Sequence, residues 1–230
     1  VIPMSLSKNK SKYIRSLHKK KFRQKYNKFI VEGDKIVQEI LQSTVLEVEL
    51  LVALDSWLEA NQNLWQHLPA EKIEAVDANE LRQISTLQMP NQTLLIAEQL
   101  DTTIDEELVR SDWSLYLDGI QDPGNLGTIL RTADWFGIRH VFCSRDCVDL
   151  YNTKVLQATM GAFLRVCVIE LAFPEWKSRF PDVPAYGTVL HATSLFNARI
   201  SKSGILVLGN EGNGISADIL AQLDEQVTIP

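Results

Sequence analysis

The first part of this 230-residue chain alternates between short apolar runs and stretches where apolar residues recur at helical spacing. The apolar runs predict buried strands, at residues 29–31, 45–54, 73–76 and 93–97. The helical spacing predicts the helices between them, at residues 10–26, around 36–41, at 57–68 and at 78–85. Residues 1–9 are predicted to be an unstructured lead. Such an alternation is typical of a small α/β domain.

The same alternation resumes after residue 113. Apolar runs predict strands at residues 115–117, 141–143, 165–170, 188–192, 205–208 and 227–229. Helices are predicted from residue 128, at 154–160, at 174–180 and at 216–223. Alternating strands and helices indicate a doubly wound parallel sheet. The chain is therefore predicted to be an α/β protein with a first domain at 1–98, a polar linker at 99–113 and a second domain at 114–230.

The sequence LYLDGIQDPGNLGTILRTADWFGI, residues 115–138, is the centre of the second domain. It combines the end of an apolar strand, a glycine-rich turn and a helix. Thr128 is the predicted helix cap, Ile129, Ala133 and Phe136 are the predicted buried face, and Gly137 is the predicted end. A strand, a glycine loop and a helix start bring free backbone N–H groups together, which favours binding of an anion or nucleotide.

Arg131 is predicted to lie in the first turn of that helix, beside whatever the loop binds. The alternative is a surface ion pair with Asp134 three residues later. A second glycine stretch, LVLGNEGNGIS at residues 206–216, also follows an apolar strand and precedes a helix. Two such loops predict one shared ligand site at the carboxyl ends of the strands. Their spacing fits neither a dinucleotide fingerprint nor a phosphate-binding loop, and tight turns without a ligand remain the alternative.

Charge is concentrated near the beginning of the chain. Residues 8–28 contain ten Lys or Arg and no acid, in a protein of net charge -6. Tyr13, His18, Phe22 and Tyr26 are interleaved with these cations. Positive charge of this density predicts contact with RNA phosphates, and the aromatic rings could stack on unpaired bases. The alternative is a solvated basic helix or a disordered tail.

Composition and residue spacing also bear on the cellular location of the protein and on metal binding. No apolar run approaches the ~20 residues of a membrane helix, and no apolar core follows the basic N-terminus as in a secretory signal. Three cysteines give no disulfide framework, so a cytoplasmic protein with reduced thiols is predicted. His140, Cys143 and Cys147 lack a fourth ligand at zinc spacing, so no metal is expected. His191 is predicted to be a core residue.

Several stretches together resemble the motifs of SpoU-type, TrmH-like RNA ribose methyltransferases of the SPOUT class. They are DPGNLGTILRTADWFG, ATMGAF, LHATS and LVLGNEGNGIS, while FIVEGDKIVQEIL resembles the ribosomal-protein-like RNA-binding domain that precedes many such enzymes. The resemblance implies transfer of a methyl group from S-adenosylmethionine to a ribose 2′-hydroxyl of tRNA or rRNA. It also implies a trefoil-knotted second domain and a homodimer.

The resemblance assigns roles to individual residues. The catalytic candidates are Asn125, Arg131 and Glu211. The cofactor-binding candidates are Thr193, Leu208, Gly209, Asn210, Gly212 and Ile229. The RNA-binding candidates are Lys19, Lys20, Lys21, Arg23 and Lys28, together with Arg131. A guanidinium does not readily release its proton, so Arg131 is interpreted as a clamp on phosphate and hydroxyl, with Glu211 as proton acceptor or sugar-orienting group.

Two alternatives to this function come from other classes. A non-catalytic RNA-binding protein could keep the fold without the activity, and a dinucleotide-dependent oxidoreductase is disfavoured by the loop spacing. The family's third motif begins with an Ile–Pro dipeptide, here Ile229 and Pro230, the last residues of the sequence. The rest of that motif normally closes the cofactor pocket. The resemblance therefore predicts weak cofactor binding by these 230 residues alone.

Overall fold

The computed structural model describes residues 6–229, so residues 1–5 of the predicted lead and Pro230 of the third motif lie outside the described residues. The chain forms two compact units. The first contains the residues up to Asp101 together with Tyr151–Gly161, and the second contains Thr102–Leu150 and the residues from Ala162 onward.

The first unit is built on a four-stranded sheet with the order β1-β4-β2-β3. Its strands are β1 (Lys28–Glu32), β2 (Val48–Leu54), β3 (Ile73–Val76) and β4 (Thr93–Glu98). Strand β4 is antiparallel to β1 and β2, while β2 and β3 are parallel. The helices of this unit are α1 (Lys8–Ser16), α2 (Lys20–Tyr26), α3 (Asp34–Gln42), α4 (Asp55–Ala60), α5 (Gln62–Trp65), α6 (Ala78–Ile84) and α9 (Thr153–Thr159).

The basic stretch predicted as one helix forms two, α1 and α2. The chain turns between them because Leu17 is buried and its carbonyl oxygen accepts a hydrogen bond from Arg23 at 3.0 Å. Helix α1 begins at Lys8, so the end of the predicted lead is helical. The helix predicted at 57–68 is likewise divided at Asn61, whose side chain donates to the carbonyl of Trp57.

The second unit contains six parallel strands in the order β10-β8-β9-β5-β6-β7. They are β5 (Trp113–Leu117), β6 (His140–Cys143), β7 (Cys167–Glu170), β8 (Ala185–Ser194), β9 (Gly204–Leu208) and β10 (Glu225–Thr228). Its helices are α7 (Glu106–Ser111), α8 (Pro123–Trp135), α10 (Phe173–Arg179) and α11 (Ala217–Leu220). The parallel α/β sheet confirms the predicted fold class, and the trefoil knot stays a prediction.

A continuous aromatic and aliphatic core lies against this sheet. Its largest fully buried side chains are Tyr116, Phe142, Phe173, Trp176 and Phe180. Strands β5 and β9 lie side by side in the middle of the order, so their carboxyl ends meet at one edge. In a parallel sheet, this edge is where ligands bind.

Helix α8 begins earlier than the sequence predicted. Asp122 is its cap, accepting a hydrogen bond from the Asn125 N–H at 2.9 Å, and Pro123 occupies the first turn. Much of the predicted glycine loop is therefore helical, and Thr128 is an interior residue rather than the cap. The predicted end at Gly137 is confirmed, because Gly137 has φ +75° in a left-handed helix stop.

The buried face of α8 also differs from the prediction. Leu126, Leu130 and Ala133 are buried, while Phe136 is exposed. Leu126, Leu130 and Ala133 are spaced at i, i+4 and i+7, whereas Ile129 is only half-buried and Phe136 is the C-cap beyond the helix. The predicted final helix is shorter, ending at Leu220, and Ser216 stands at its cap position without a side-chain hydrogen bond.

Candidate active site

The ends of β5 and β9 are joined by hydrogen bonds just beyond the sheet. The Asp118 N–H donates to the Leu208 carbonyl at 2.9 Å, and the Asp118 carboxylate accepts from the Ser216 N–H at 2.7 Å. The Gly119 N–H donates to the Ser144 hydroxyl at 2.9 Å, which adds the loop after β6. The segments that follow three neighbouring strands are therefore fixed against one another.

Asn210 organises the second glycine loop. Its side-chain oxygen accepts from the N–H groups of Gly212 at 2.9 Å and Asn213 at 3.0 Å. Its side-chain nitrogen donates to the Gly119 carbonyl at 2.7 Å. The backbones of Asn210 and Gly214 pair with each other at 2.8 and 3.0 Å, which closes the loop. Asn210 thus shapes the loop at 210–214 and ties it to the end of β5.

Close backbone packing explains the glycine at position 209. A Cβ there would lie 2.2 Å from the Gly214 carbonyl carbon and 2.3 Å from the Ile215 nitrogen. Real Cβ atoms do not approach backbone so closely, so the loop closes only on a glycine. Gly209, predicted as a cofactor contact, has this structural role as well as its place in the cleft.

The structure brings two predicted catalytic residues together. The Asn125 side-chain nitrogen donates to the Glu211 carboxylate at 2.6 Å. Asn125 lies in the first turn of α8 and Glu211 at the tip of the loop at 210–214, so the contact links the two glycine stretches. Both side chains are exposed, and the predicted joint site therefore faces solvent.

Arg131, the third catalytic candidate, is placed differently from the prediction. Because α8 begins at Pro123, Arg131 lies in the third turn and not in the first. It is exposed, and among residues 6–229 no hydrogen bond or ion pair holds its guanidinium. Its alternative partner Asp134 instead accepts two hydrogen bonds from Arg165, at 2.9 and 3.1 Å. Arg131 is available to a bound molecule.

A cleft of ≈ 680 Å³ opens beside the loop at 210–214. Its walls are that loop, the outer part of β8 and the end of β10. Four predicted cofactor residues line it, namely Gly209, Asn210, Gly212 and Ile229, together with Glu211. The lining residues that the sequence did not assign to the site are Thr188, Val189, Leu190, His191, Asn213, Gly214, Ile215, Leu220, Gln226 and Thr228.

Two predicted cofactor residues do not line the cleft. Leu208 ends β9, and its carbonyl is occupied by the Asp118 N–H. Thr193 pairs with Val227 near the far end of β8. Conversely, His191, predicted as a core residue, is exposed and lines the cleft. His191 lies between Gly187 and Thr193, where β8 no longer pairs with β9 and its pairing with β10 is interrupted, so this part of the strand is exposed.

In the basic segment at residues 8–28, some cationic side chains are exposed without an ion pair, and others are paired or buried. Lys19, Lys20 and Lys21 are exposed and make no ion pair among the described residues. Lys28 pairs with Glu98 and with Glu49, the latter at 3.3 Å, and these partners raise its pKa against the opposing effect of burial.

Arg23, predicted as an RNA contact, is only 5% exposed. Its guanidinium donates to the carbonyls of Leu17 and His18, at 3.0 and 2.9 Å. A buried guanidinium engaged in this way stabilises the turn between α1 and α2, and this corrects its predicted role as a surface charge.

Several other polar groups have structural partners. His140 is buried, which lowers its pKa, and its Nε2 accepts a hydrogen bond from the Asp105 N–H at 3.3 Å.

Within residues 6–229, no group of three or more His, Cys, Asp or Glu is arranged to hold a metal ion. Over the same residues, no helix is long and apolar enough to cross a membrane.

Comparison with known proteins gives two family matches that together span most of the chain. The SpoU rRNA Methylase family matches residues 112–230, and the MRM3-like substrate binding domain matches residues 8–95. The 23S rRNA (guanosine(2553)-2′-O)-methyltransferase RlmP of Bacillus subtilis is 31% identical over 98% of this chain and 89% of its own length. Human mitochondrial rRNA methyltransferase 3 is 29% identical over 72% of this chain, which corresponds to 39% of that protein.

Solved structures agree with these matches. A protein assigned to the TrmH family from Porphyromonas gingivalis has a TM-score of 0.84 at 36% identity, covering 98% of this chain and 89% of the other. An AdoMet-bound rRNA methyltransferase from Sinorhizobium meliloti has a TM-score of 0.83 at 24% identity, covering 99% and 87%, and supports the fold.

The chain belongs to the SpoU family of RNA methyltransferases. This membership confirms three predictions made from the sequence, namely the family, an enzymatic RNA methyltransferase and S-adenosylmethionine as the cofactor.

Proposed function

We propose that this protein transfers a methyl group from S-adenosylmethionine to a ribose 2′-hydroxyl of ribosomal RNA. The relative from Bacillus subtilis, named as a 2′-O-methyltransferase of 23S rRNA, supports the reaction and the RNA class. The Asn125–Glu211 contact, which unites the two glycine stretches beside the cleft, is the structural observation that carries the proposal.

The cleft has the chemical character that this cofactor needs. Its volume of ≈ 680 Å³ lies in the range of small-molecule sites. Val189, Leu190 and Ile229 give it apolar surface, and Gln226 offers a side-chain amide. The described residues that line the cleft include one carboxylate, that of Glu211, and no Lys or Arg. A site without cations suits a neutral or positively charged ligand and disfavours a polyphosphate.

The cofactor, when bound, supplies an electrophilic methyl group on a positively charged sulfur. The protein's task is then to hold the acceptor hydroxyl in line with that methyl and to manage its proton. Glu211 is the carboxylate placed to accept the proton or to orient the sugar, and Asn125 fixes one of its oxygens. Arg131 has a free guanidinium that can bind a neighbouring RNA phosphate through two hydrogen bonds.

We further propose a homodimer. Arg131 lies about two helical turns from Asn125, and the described contacts do not connect it with Glu211. Trp135, one turn after Arg131 on α8, is 85% exposed, and Phe136, just beyond the helix end, is 75% exposed. Large exposed aromatic side chains next to a functional arginine are typical of an interface. A second copy packed on α8 would cover these rings and receive Arg131.

The division into domains is also part of the proposal. Residues 1–98 are proposed to bind RNA, 99–113 to link, and 114–230 to form the knotted methyltransferase domain. The matched ranges 8–95 and 112–230 support this division. The structure differs from this division in two respects. The segment 99–113 contains the short helix α7, and Tyr151–Gly161 pack with the first compact unit. The relative's rRNA substrate supports a cytoplasmic location.

The test is methyl transfer to purified RNA. The protein is incubated with radiolabelled S-adenosylmethionine and deproteinised 23S rRNA, 16S rRNA or tRNA. A methylated ribose is then mapped by the resistance of its 3′ phosphodiester bond to alkali. We expect incorporation into rRNA at a ribose. Label on a base, or RNA binding without any transfer, would refute the proposed reaction, and the second result would favour the non-catalytic alternative.

A further inference from the structure

Helix α2 displays an aromatic surface that the methyl-transfer site does not use. Phe22 and Tyr26 are one helical turn apart, and their rings stack with centroids 6.2 Å apart and an interplanar angle of 12°. Tyr26 is 39% exposed although it is a large aromatic residue. The two rings therefore form a nearly parallel, partly open face. This face is called the aromatic platform below.

An aromatic ring of α1 packs against the aromatic platform. Tyr13 of α1 meets the Tyr26 ring edge-on, with centroids 5.4 Å apart. Burial, followed by the interaction with Glu49, raises the pKa of the Tyr13 hydroxyl, so this anchored, partly buried side chain is uncharged. An anchored ring behind Tyr26 restricts the movement of Tyr26. A ligand that stacks on the platform would therefore lose little side-chain entropy in ordering it.

Two lysine ammonium groups lie close to the same rings. The Lys21 ammonium lies 5.0 Å from the Phe22 ring centroid, and the Lys25 ammonium lies 5.3 Å from the Tyr26 ring centroid. Lys19 and Lys20 are exposed at the start of the same helix and make no ion pair within the described chain. No acidic residue occurs between residues 8 and 28 to compete for these cations. A π-face flanked by unpaired lysines matches a nucleobase with its phosphates.

We infer that the aromatic platform of Phe22 and Tyr26 binds unpaired nucleotides of the RNA substrate, with Lys21 and Lys25 contacting the adjacent phosphates. The bases of a duplex are stacked on one another and cannot reach the rings, so the platform selects single-stranded segments. The inference rests on the proposed function for its RNA ligand. It adds the structural class of RNA that the first unit takes and the residues that select it.

The experiment compares two RNA probes, an unstructured ten-nucleotide strand and a duplex of equal length, by fluorescence anisotropy with the full chain. We expect Tyr26→Ala to weaken binding of the single strand about tenfold, because one base–ring stack is lost. Duplex binding is expected to change less than twofold. Tyr26→Phe keeps the ring and serves as the matched control with near-normal affinity for both probes.

A second variant guards against misfolding. Phe22→Leu keeps apolar packing on α2 but removes the ring, so it should weaken single-strand binding while the melting temperature stays close to that of the parent. Unchanged single-strand affinity in both variants, or an equal loss on single strand and duplex, would overturn the inference. Methyl transfer by the parent protein is measured in parallel. If methyl transfer is normal and the variants bind RNA like the parent, the inference about the aromatic platform is refuted but the proposed reaction is not. If binding depends on the platform and no methyl group is transferred, the proposed reaction is refuted but the inference is not.

Discussion

The side-chain amide of Asn125 and the carboxylate of Glu211 are joined by a hydrogen bond of 2.6 Å, although they come from glycine stretches 86 positions apart. The second oxygen of Glu211 lies 3.4 Å from the Asn210 side-chain nitrogen. The carboxylate is thus held by two amide donors, one from the first turn of α8 and one from its own loop. A group held in this way is prepared for a single orientation toward the cleft.

The contact makes a double-mutant prediction. Asn125→Ala and Glu211→Ala should each lower kcat/KM, and the double variant should lose less than the sum of the two. Residues in direct contact couple by about 1–2 kcal/mol, or roughly five- to thirtyfold in rate. Single-turnover methyl transfer by the four proteins measures this coupling. Strict additivity would show that the hydrogen bond has no part in the reaction.

Glu211→Gln separates orientation from proton transfer. Glutamine keeps an oxygen that can accept the Asn125 hydrogen bond but cannot take a proton at neutral pH. We expect a loss of about a hundredfold in kcat if Glu211 accepts the proton, in line with general base catalysis. A near-normal rate would assign Glu211 to orientation of the sugar.

Arg131 should act on turnover and not on cofactor binding, because it is exposed, unpaired within the described chain and not among the described residues lining the cleft. We expect Arg131→Ala to lower kcat about a hundredfold, or roughly 3 kcal/mol, with the affinity for S-adenosylmethionine nearly unchanged. Arg131→Lys keeps the charge without the planar fork and should recover part of the rate. Calorimetric titration and single-turnover assays give the two quantities. Near-normal turnover in Arg131→Ala would remove this residue from the reaction.

The sequence predicted most strands and helices in their chain order because apolar periodicity reflects burial directly, but it assigned α7 to a polar linker. It placed the start of α8 at Thr128 because glycines at 124 and 127 suggest a loop. In the structure, the cap at Asp122 and Pro123 at the first turn override that preference. Arg131 therefore lies further from the helix start than predicted.

Contacts between distant residues explain the remaining differences. Arg23 has the composition of a surface charge, and only the fold of α1 against α2 shows that it is buried. Similarly, His191 belongs to an apolar sequence, but it lies where the pairing of β8 with its neighbours is interrupted, and it is exposed. A local pattern does not show where the pairing between two strands is interrupted.

The lysines at the start of α2 should determine the salt dependence of RNA binding. Changing Lys19, Lys20 and Lys21 to Ala should reduce the slope of log K against log salt concentration by about 2, since each single-strand phosphate contact contributes about 0.7. The melting temperature should not fall, because cations near a helix N-terminus oppose the helix dipole. Filter binding at several salt concentrations gives the slope, and an unchanged slope would refute the phosphate contacts.

Arg23→Ala provides the contrast. Removing this buried guanidinium leaves the Leu17 and His18 carbonyls without a donor, so we expect about 1–3 kcal/mol lower stability and an unchanged salt slope. Chemical denaturation measures the first quantity. A reduced slope with normal stability would mean that Arg23 does contact RNA.

Cys147 should react at lower pH than the other two cysteines. Hydrogen bonding with Cys143 is the largest cause, followed by the Ser144 hydroxyl and the Ile120 and Gly119 backbone, and together they lower the Cys147 pKa to about 7 against the effect of burial. The thiolate is the nucleophile, so alkylation by iodoacetamide should rise with pH and reach half its maximum near pH 7. Burial raises the pKa of Cys167. Peptide mass spectrometry across pH 5–10 locates the label, Cys147→Ser is the control, and a midpoint near 9 would contradict the assignment.

The two glycines that meet at the neck of the loop at 210–214 should respond very differently to alanine. Gly209→Ala would place a Cβ 2.2 Å from the Gly214 backbone, so the loop cannot close as it does here. We expect its affinity for S-adenosylmethionine to fall more than tenfold, because the loop forms one wall of the cleft. Gly214→Ala meets no atom within 4 Å and faces only the cost of φ +69°, about 1–2 kcal/mol of stability. Its cofactor affinity should fall much less. Calorimetric titration with thermal melts of both variants makes the comparison, and normal cofactor binding by Gly209→Ala would show that the closed loop is not part of the cofactor site.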